Sequence, residues 1–182
     1  EDAAMSVEML EQQLAAAKDR LREMSADTNP IERAELQVSI GGTLVDLHRG
    51  EEGFAQAREA FDAFVEARHW DGAVQACDVM FQADQPESLA ALGQGVWLAV
   101  TFPVDPELTV NMLHHIVEET PNDSDGAAVA SVVAHYVVDM RAEGKQRDNL
   151  LFFSNNLLGA VARRHSDVES QEQFNYWVEK LE

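Results

Sequence analysis

The sequence predicts an all-α fold, built from antiparallel helical hairpins packed in a stacked array. Three observations predict it. Apolar side chains recur every third or fourth position through most of the 182 residues, the spacing that gathers them on one face of a helix. No Val-, Ile- or Tyr-bearing run alternates over the length of a strand. Helix starts are also well marked along the chain, and the linkers between the predicted helices are short.

Taken in order, the pattern predicts helices at about 6–25, 30–48, 52–68, 71–84, 87–101, 106–119, 125–143 and 147–165, and a last one from 167. The first carries Leu10, Leu14, Ala17, Leu21 and Met24, a narrow heptad seam. It is expected to pack on the body of the same molecule. Asn29-Pro30 and Asp105-Pro106 each offer a capping side chain, followed by a proline where no amide is needed. Gly50 and Gly144 suit left-handed C-caps, and Ser166 to Glu169 reads as a capping box. Gly41-Gly42 and Gly93-x-Gly95 lie inside helical patterns, where they let neighbouring helices approach. Helix 125–143 is apolar around nearly its whole circumference, from Ala127 to Val138, and is expected to be the most buried. In the last helix Phe174, Trp177, Val178 and Leu181 form a stripe expected to close the body. The stretch from Ser25 to Asn29 is the nearest thing to a linker. It divides an N-terminal helix (1–28), able to move separately, from one all-helical domain (29–182).

Residues 61–86 resemble a tetratricopeptide repeat, a pair of antiparallel helices with small and bulky side chains at fixed places. The likeness rests on Phe64, Trp70, Ala73, Cys77, Met80 and Pro86. A further stretch through Gly41, Leu44, Gly50, Phe54, Ala57, Phe61 and Phe64 extends it to about residues 34–86. Ala57 and Ala73 are half a repeat apart, so helix 52–68 is either the second of one pair or the first of the next. The resemblance implies a right-handed solenoid with a concave face that binds a protein or peptide segment. That family has no fixed set of ligand-contacting residues to carry over.

The balance of 13 Lys and Arg against 33 Asp and Glu gives a net charge of −20. Such a surface repels nucleic-acid phosphates and anionic lipid, so neither nucleic acid nor membrane is an expected partner. A basic protein or peptide partner suits it better. The longest apolar run, Gly95 to Val104, is too short to cross a bilayer. Cys77 is the sole cysteine, which excludes an intramolecular disulfide and leans towards a reducing compartment. The acidic Glu1-Asp2-Ala3-Ala4 start is unlike a signal peptide. The expected location is cytoplasmic.

Six histidines are the candidates for chemistry. His114/Glu118, His115/Glu119 and His135/Asp139 stand four apart, so each pair shares a helix face and could contribute metal ligands. Helical-bundle metal proteins use a pair of Glu-x-x-His motifs on facing helices, and no such pair occurs. His114 falls with Glu107, Asn111 and Glu118 on the polar side of its helix, where pairing along the helix is expected. His135 sits in an apolar helix and is read as a core histidine with Asp139 as its partner. Residues 122–126 look like half a calcium loop, but Ala127 to Val133 supply no further oxygen ligands. Ser124 or Asp125 is instead expected to cap the next helix. Cys77 shares the apolar pattern of Ala73 and Met80, as a packed thiol would. No Gly-x-Ser-x-Gly elbow or phosphate-binding glycine loop occurs. No catalytic, cofactor or metal residue is therefore assigned. The expected function is a non-catalytic scaffold or adaptor for protein–protein interaction. The alternatives are an acidic, chaperone-like binder of a basic partner and a helical-bundle metal protein using His135 and Asp139.

Overall fold

The apolar periodicity folds as helices throughout. The structure, a computed structural model, describes residues 2–181 and contains α1 (Asp2–Glu23), α2 (Pro30–Asp46), α3 (Gly50–Glu66), α4 (Trp70–Gln82), α5 (Ser88–Thr101), α6 (Pro106–Glu119), α7 (Asp125–Arg141), α8 (Gly144–Ser166) and α9 (Gln171–Glu179). No strand occurs among the described residues. Consecutive helices pack against one another within each of two compact units, Glu1–Phe102 and Pro103–Glu182. This division differs from the one drawn at residues 28 and 29 in the sequence. Helix α1 belongs with the first unit because its seam is spent there: Leu14, 3% exposed, packs with Ile40 and Leu44 of α2, flanked by Ala17 and Leu21.

In the first unit the recurring element is a single helix and its turn. Arg49 N–H donates to the Leu44 carbonyl, and His48 N–H to Val45. Twenty residues on, His69 N–H donates to Phe64, and Arg68 N–H to Val65. Both are Schellman closures, which satisfy the last carbonyls of α2 and α3 and turn the chain into the next helix. The left-handed residue of this motif is usually glycine, yet here it is His48 (φ 59°) and Arg68 (φ 54°). Gly50, expected in that role, instead opens α3, where a Cβ would drive into the Ala83 carbonyl oxygen. Helix 52–68 of the sequence reading, now α3, packs on both α2 and α4, so neither pairing is privileged. Between α2 and α3 a Cβ on Gly41 would lie 3.0 Å from the Gly53 carbonyl oxygen, and one on Gly53 2.8 Å from that of Gly41. Only hydrogen fits at this crossing. Gly42 and Gly93 meet nothing within 4 Å and have no such role.

A side chain in the left-handed region costs about 1–2 kcal/mol relative to glycine, partly offset by glycine's greater unfolded-state entropy. His48→Gly and Arg68→Gly are each expected to stabilise by about 0.5–1 kcal/mol. A lower urea midpoint in either variant would refute the cost assigned to these turns.

In the second unit α7 lies between α6 and α8. Ala127, Ala128, Ala134 and Val138 are fully buried, as expected. One stripe of α7 is not: Val129, Tyr136 and Met140 are exposed. A helix flanked on two sides keeps its third side free, so the all-round apolar pattern overstated its burial. Arginines close the helix ends here and in the first unit. Arg33 donates to Met24 and Ser25 carbonyls, Arg147 to Val138 and Asp139, and Arg164 to Val117. Each adds a donor to carbonyls at or just beyond a helix C-terminus, where the backbone ladder runs out.

The capping box lies four residues beyond its expected place. Helix α8 runs on to Ser166, Asp167 takes the left-handed position (φ 50°), and Ser170 with Gln173 forms the box. Gly144 is left-handed (φ 55°) as expected, but it opens α8 rather than closing α7. Trp177 is the one buried side chain of α9 among the described residues. Its Nε1–H donates to His165 Nδ1 at 3.1 Å. An indole nitrogen only donates, so His165 Nδ1 carries the lone pair and Nε2 the proton, directed at Asp125 Oδ1, 3.0 Å away.

Candidate functional site

Helices α6 and α8 lie side by side across α7, and the line of contact between them is open. Three contacts give their register: Gln146 Nε2 donates to Asp105 Oδ2 at 3.2 Å, the His114 and Phe153 rings meet edge-on at 5.4 Å, and Arg164 reaches the Val117 carbonyl at 2.7 Å. Residue numbers rise together, so α6 and α8 run parallel. Between the first two contacts is a cleft of about 540 Å³. At 1.5 Å of rise per residue, those two closures stand about 10–13 Å apart along the helices.

Each wall follows from helical spacing. Glu107, Val110 and Asn111 of α6 share a side one turn apart, as do Gln146, Asn149, Leu150 and Phe153 of α8. Val110 (2% exposed) and Leu150 (8%) form the apolar floor, and Phe153 stands half out of it. The rim is made of amides and one carboxylate, that of Glu107. No lysine or arginine lines the cleft. The positive end of α6 is already met by Asp105, whose Oδ1 accepts the Glu107 and Leu108 amides at 2.9 and 3.2 Å. The Glu107 carboxylate is thus not needed as the cap. Amide side chains both donate and accept, and an extended backbone presents the same pair of groups.

The residues singled out in the sequence are placed as follows. His114 and His115 both approach the same carboxylate, Glu118 Oε2, at 3.5 and 3.6 Å. His135 does not turn to Asp139: its Nδ1 lies 3.2 Å from Ser154 Oγ on α8. Ser154 is fully buried, and a neighbouring helix offers a deeper partner than the next turn of the same one. Asp139 pairs with Arg147 at 2.6 Å. Among the described residues no three His, Cys, Asp or Glu side chains gather as a metal site. Cys77 is fully buried, and burial pushes its thiol up to about 12, so it stays protonated and packs as expected. Ser124 caps α7, its Oγ accepting the Gly126 amide. No helix of the described residues is long and apolar enough to cross a membrane.

Arg147 has a titratable anchor. Its hydrogen bond to Asp139, and then its charge, hold the Asp139 carboxyl below the usual carboxylate range. A depressed folded-state value means stability present above the unfolded value near 3.8 and lost as pH falls through the folded one. Urea midpoints of wild type and Asp139→Asn are expected to differ at neutral pH and converge below that value. A gap that persists at low pH would exclude the ion pair as its source.

The polar face Glu107, Asn111, His114 and Glu118 was legible in the sequence as a face. That Glu107 and Asn111 of this face line a cleft was not, because the opposite wall lies two helices further on. Gln146, Asn149 and Phe153 carry no motif that would have marked them. No protein-family model matches the chain, and comparison with curated proteins and with solved structures finds no match.

Proposed function

We propose that this protein is a non-catalytic interaction scaffold of helical-repeat type, and that it holds a short extended segment of a partner in the α6–α8 cleft. One observation carries the reading: an apolar floor edged by Asn111, Gln146 and Asn149, between the Gln146–Asp105 and His114–Phe153 contacts. Extended chain advances about 3.3 Å per residue, so the cleft spans roughly three or four residues of a bound segment. Apolar side chains would fall on Val110, Leu150 and Phe153, while the exposed Asn149 amide N–H donates to the segment's backbone. The volume is within the range of about 300–1,000 Å³ common for ligand sites. The likeness of residues 34–86 to a tetratricopeptide repeat supports a binding role of the same kind. An acidic binder of basic partners is the second reading, supported by the net charge of −20.

The test is selection of random peptides on the intact protein, followed by affinity measurement against wild type and Asn149→Arg. Asn149 is exposed, so arginine there crowds the cleft without disturbing the core. Selected peptides should bind wild type and lose at least tenfold in affinity for the variant. If no peptide is selected, or if all bind both proteins equally, the cleft is not the binding site.

A further inference from the structure

The charges around the cleft specify more than an extended segment. Resting on the reading above, we infer that the cleft recognises an arginine side chain in the bound segment. Glu107 is the one ionised group on the lining, and it belongs to a chain that carries 33 acidic against 13 basic residues. The apolar floor formed by Val110, Leu150 and Phe153 leads along the cleft towards Glu107. This order, apolar floor and then carboxylate, matches a side chain with a hydrocarbon stem and a cationic head.

Arginine fits better than lysine. Its guanidinium carries five donors in a planar fork and needs several acceptors in one place. Glu107 offers two carboxylate oxygens. Gln146 has committed its Nε2 to Asp105 and so presents its carbonyl oxygen as an acceptor. Asn149 supplies another amide oxygen one turn along α8. A compact ammonium, with three donors on a flexible stem, would meet the carboxylate but leave these amides unused. Two parallel helices also direct their N-termini, Pro106 and Gly144, to this end of the cleft. Their partial positive charges oppose a cation, but Asp105 already caps α6, and a full carboxylate charge exceeds the half-charge of a helix terminus.

The experiment titrates the ¹⁵N-labelled 182-residue chain with Nα-acetyl-arginine amide, Nα-acetyl-lysine amide and Nα-acetyl-norleucine amide. The side-chain amide resonances of Asn111, Gln146 and Asn149 are followed throughout. Saturable shifts with the arginine probe are expected, with affinity at least threefold weaker for lysine and tenfold weaker for norleucine. Glu107→Gln should reduce the arginine affinity at least fivefold, and its unchanged amide spectrum elsewhere would show that it is folded. Equal affinity for norleucine, or an unchanged arginine affinity in Glu107→Gln, overturns the inference. If peptides selected in the preceding experiment still bind in an Asn149-dependent way, the cleft reading stands and only the arginine preference falls. If neither peptides nor probes move these resonances, both fall.

Discussion

Phe64→Ala is expected to destabilise the first unit by about 3–5 kcal/mol, the range for deleting a fully buried aromatic ring. Phe64 is completely buried at the end of α3, where its carbonyl accepts the His69 amide and its ring lies against the His69 imidazole. The space it leaves cannot close easily. Gly72 faces the ring with backbone alone, and a Cβ there would enter the ring itself. Backbone held in the first turn of α4 does not collapse into a cavity as a flexible side chain would. For a unit of this size the loss corresponds to a melting temperature lower by on the order of 15 °C or more. Circular dichroism of heat and urea unfolding measures it. A loss below about 1 kcal/mol would mean that the core is far more plastic than close packing allows.

Gly50→Ala gives the second large effect, and its sign runs against helix propensity. In an exposed helix, alanine in place of glycine gains up to about 1 kcal/mol. At Gly50 the added methyl group meets the carbonyl oxygen of Ala83, the residue that closes α4. A backbone oxygen cannot rotate away, so α3 and α4 must separate. The expected loss is at the upper end of the 1–3 kcal/mol typical of overpacking, roughly 3 kcal/mol. Gly42→Ala is the internal control. It lies within α2 with nothing inside 4 Å of the new methyl, so it should gain up to about 1 kcal/mol. Should the two variants shift the urea midpoint in the same direction, the close approach at Gly50 is not what selects glycine.

These two sites show which features the sequence disclosed. Asn29-Pro30, Asp105-Pro106 and Ser124 mark helix starts because capping is local chemistry, completed within three residues by the chain's own amides. The α1 seam likewise named its buried side, and Leu14 is buried there. Features that depend on a distant segment stayed hidden. Nothing near Gly50 in sequence announces the Ala83 carbonyl. His48 and Arg68 hold left-handed turns that sequence reasoning reserves for glycine, because packing of the flanking helices overrides the local preference. The partner of His135 was misread for the same reason. Spacing offers Asp139 on the same helix, whereas packing brings Ser154 from the next one and gives Asp139 to Arg147. The cleft is the extreme case, since helical periodicity names a face but not what stands across from it.

The single indole of the second unit makes that unit optically separable. Trp70 and Trp97 belong to the first unit, and Trp177 alone to the second. Because Trp177 donates to His165 Nδ1 and is buried, its emission reports both the docking of α9 against α8 and the unfolding of the unit that holds them. With phenylalanine at positions 70 and 97, fluorescence would therefore follow the second unit alone. The melting of the second unit could then be timed against the loss of helix in both, with no label attached.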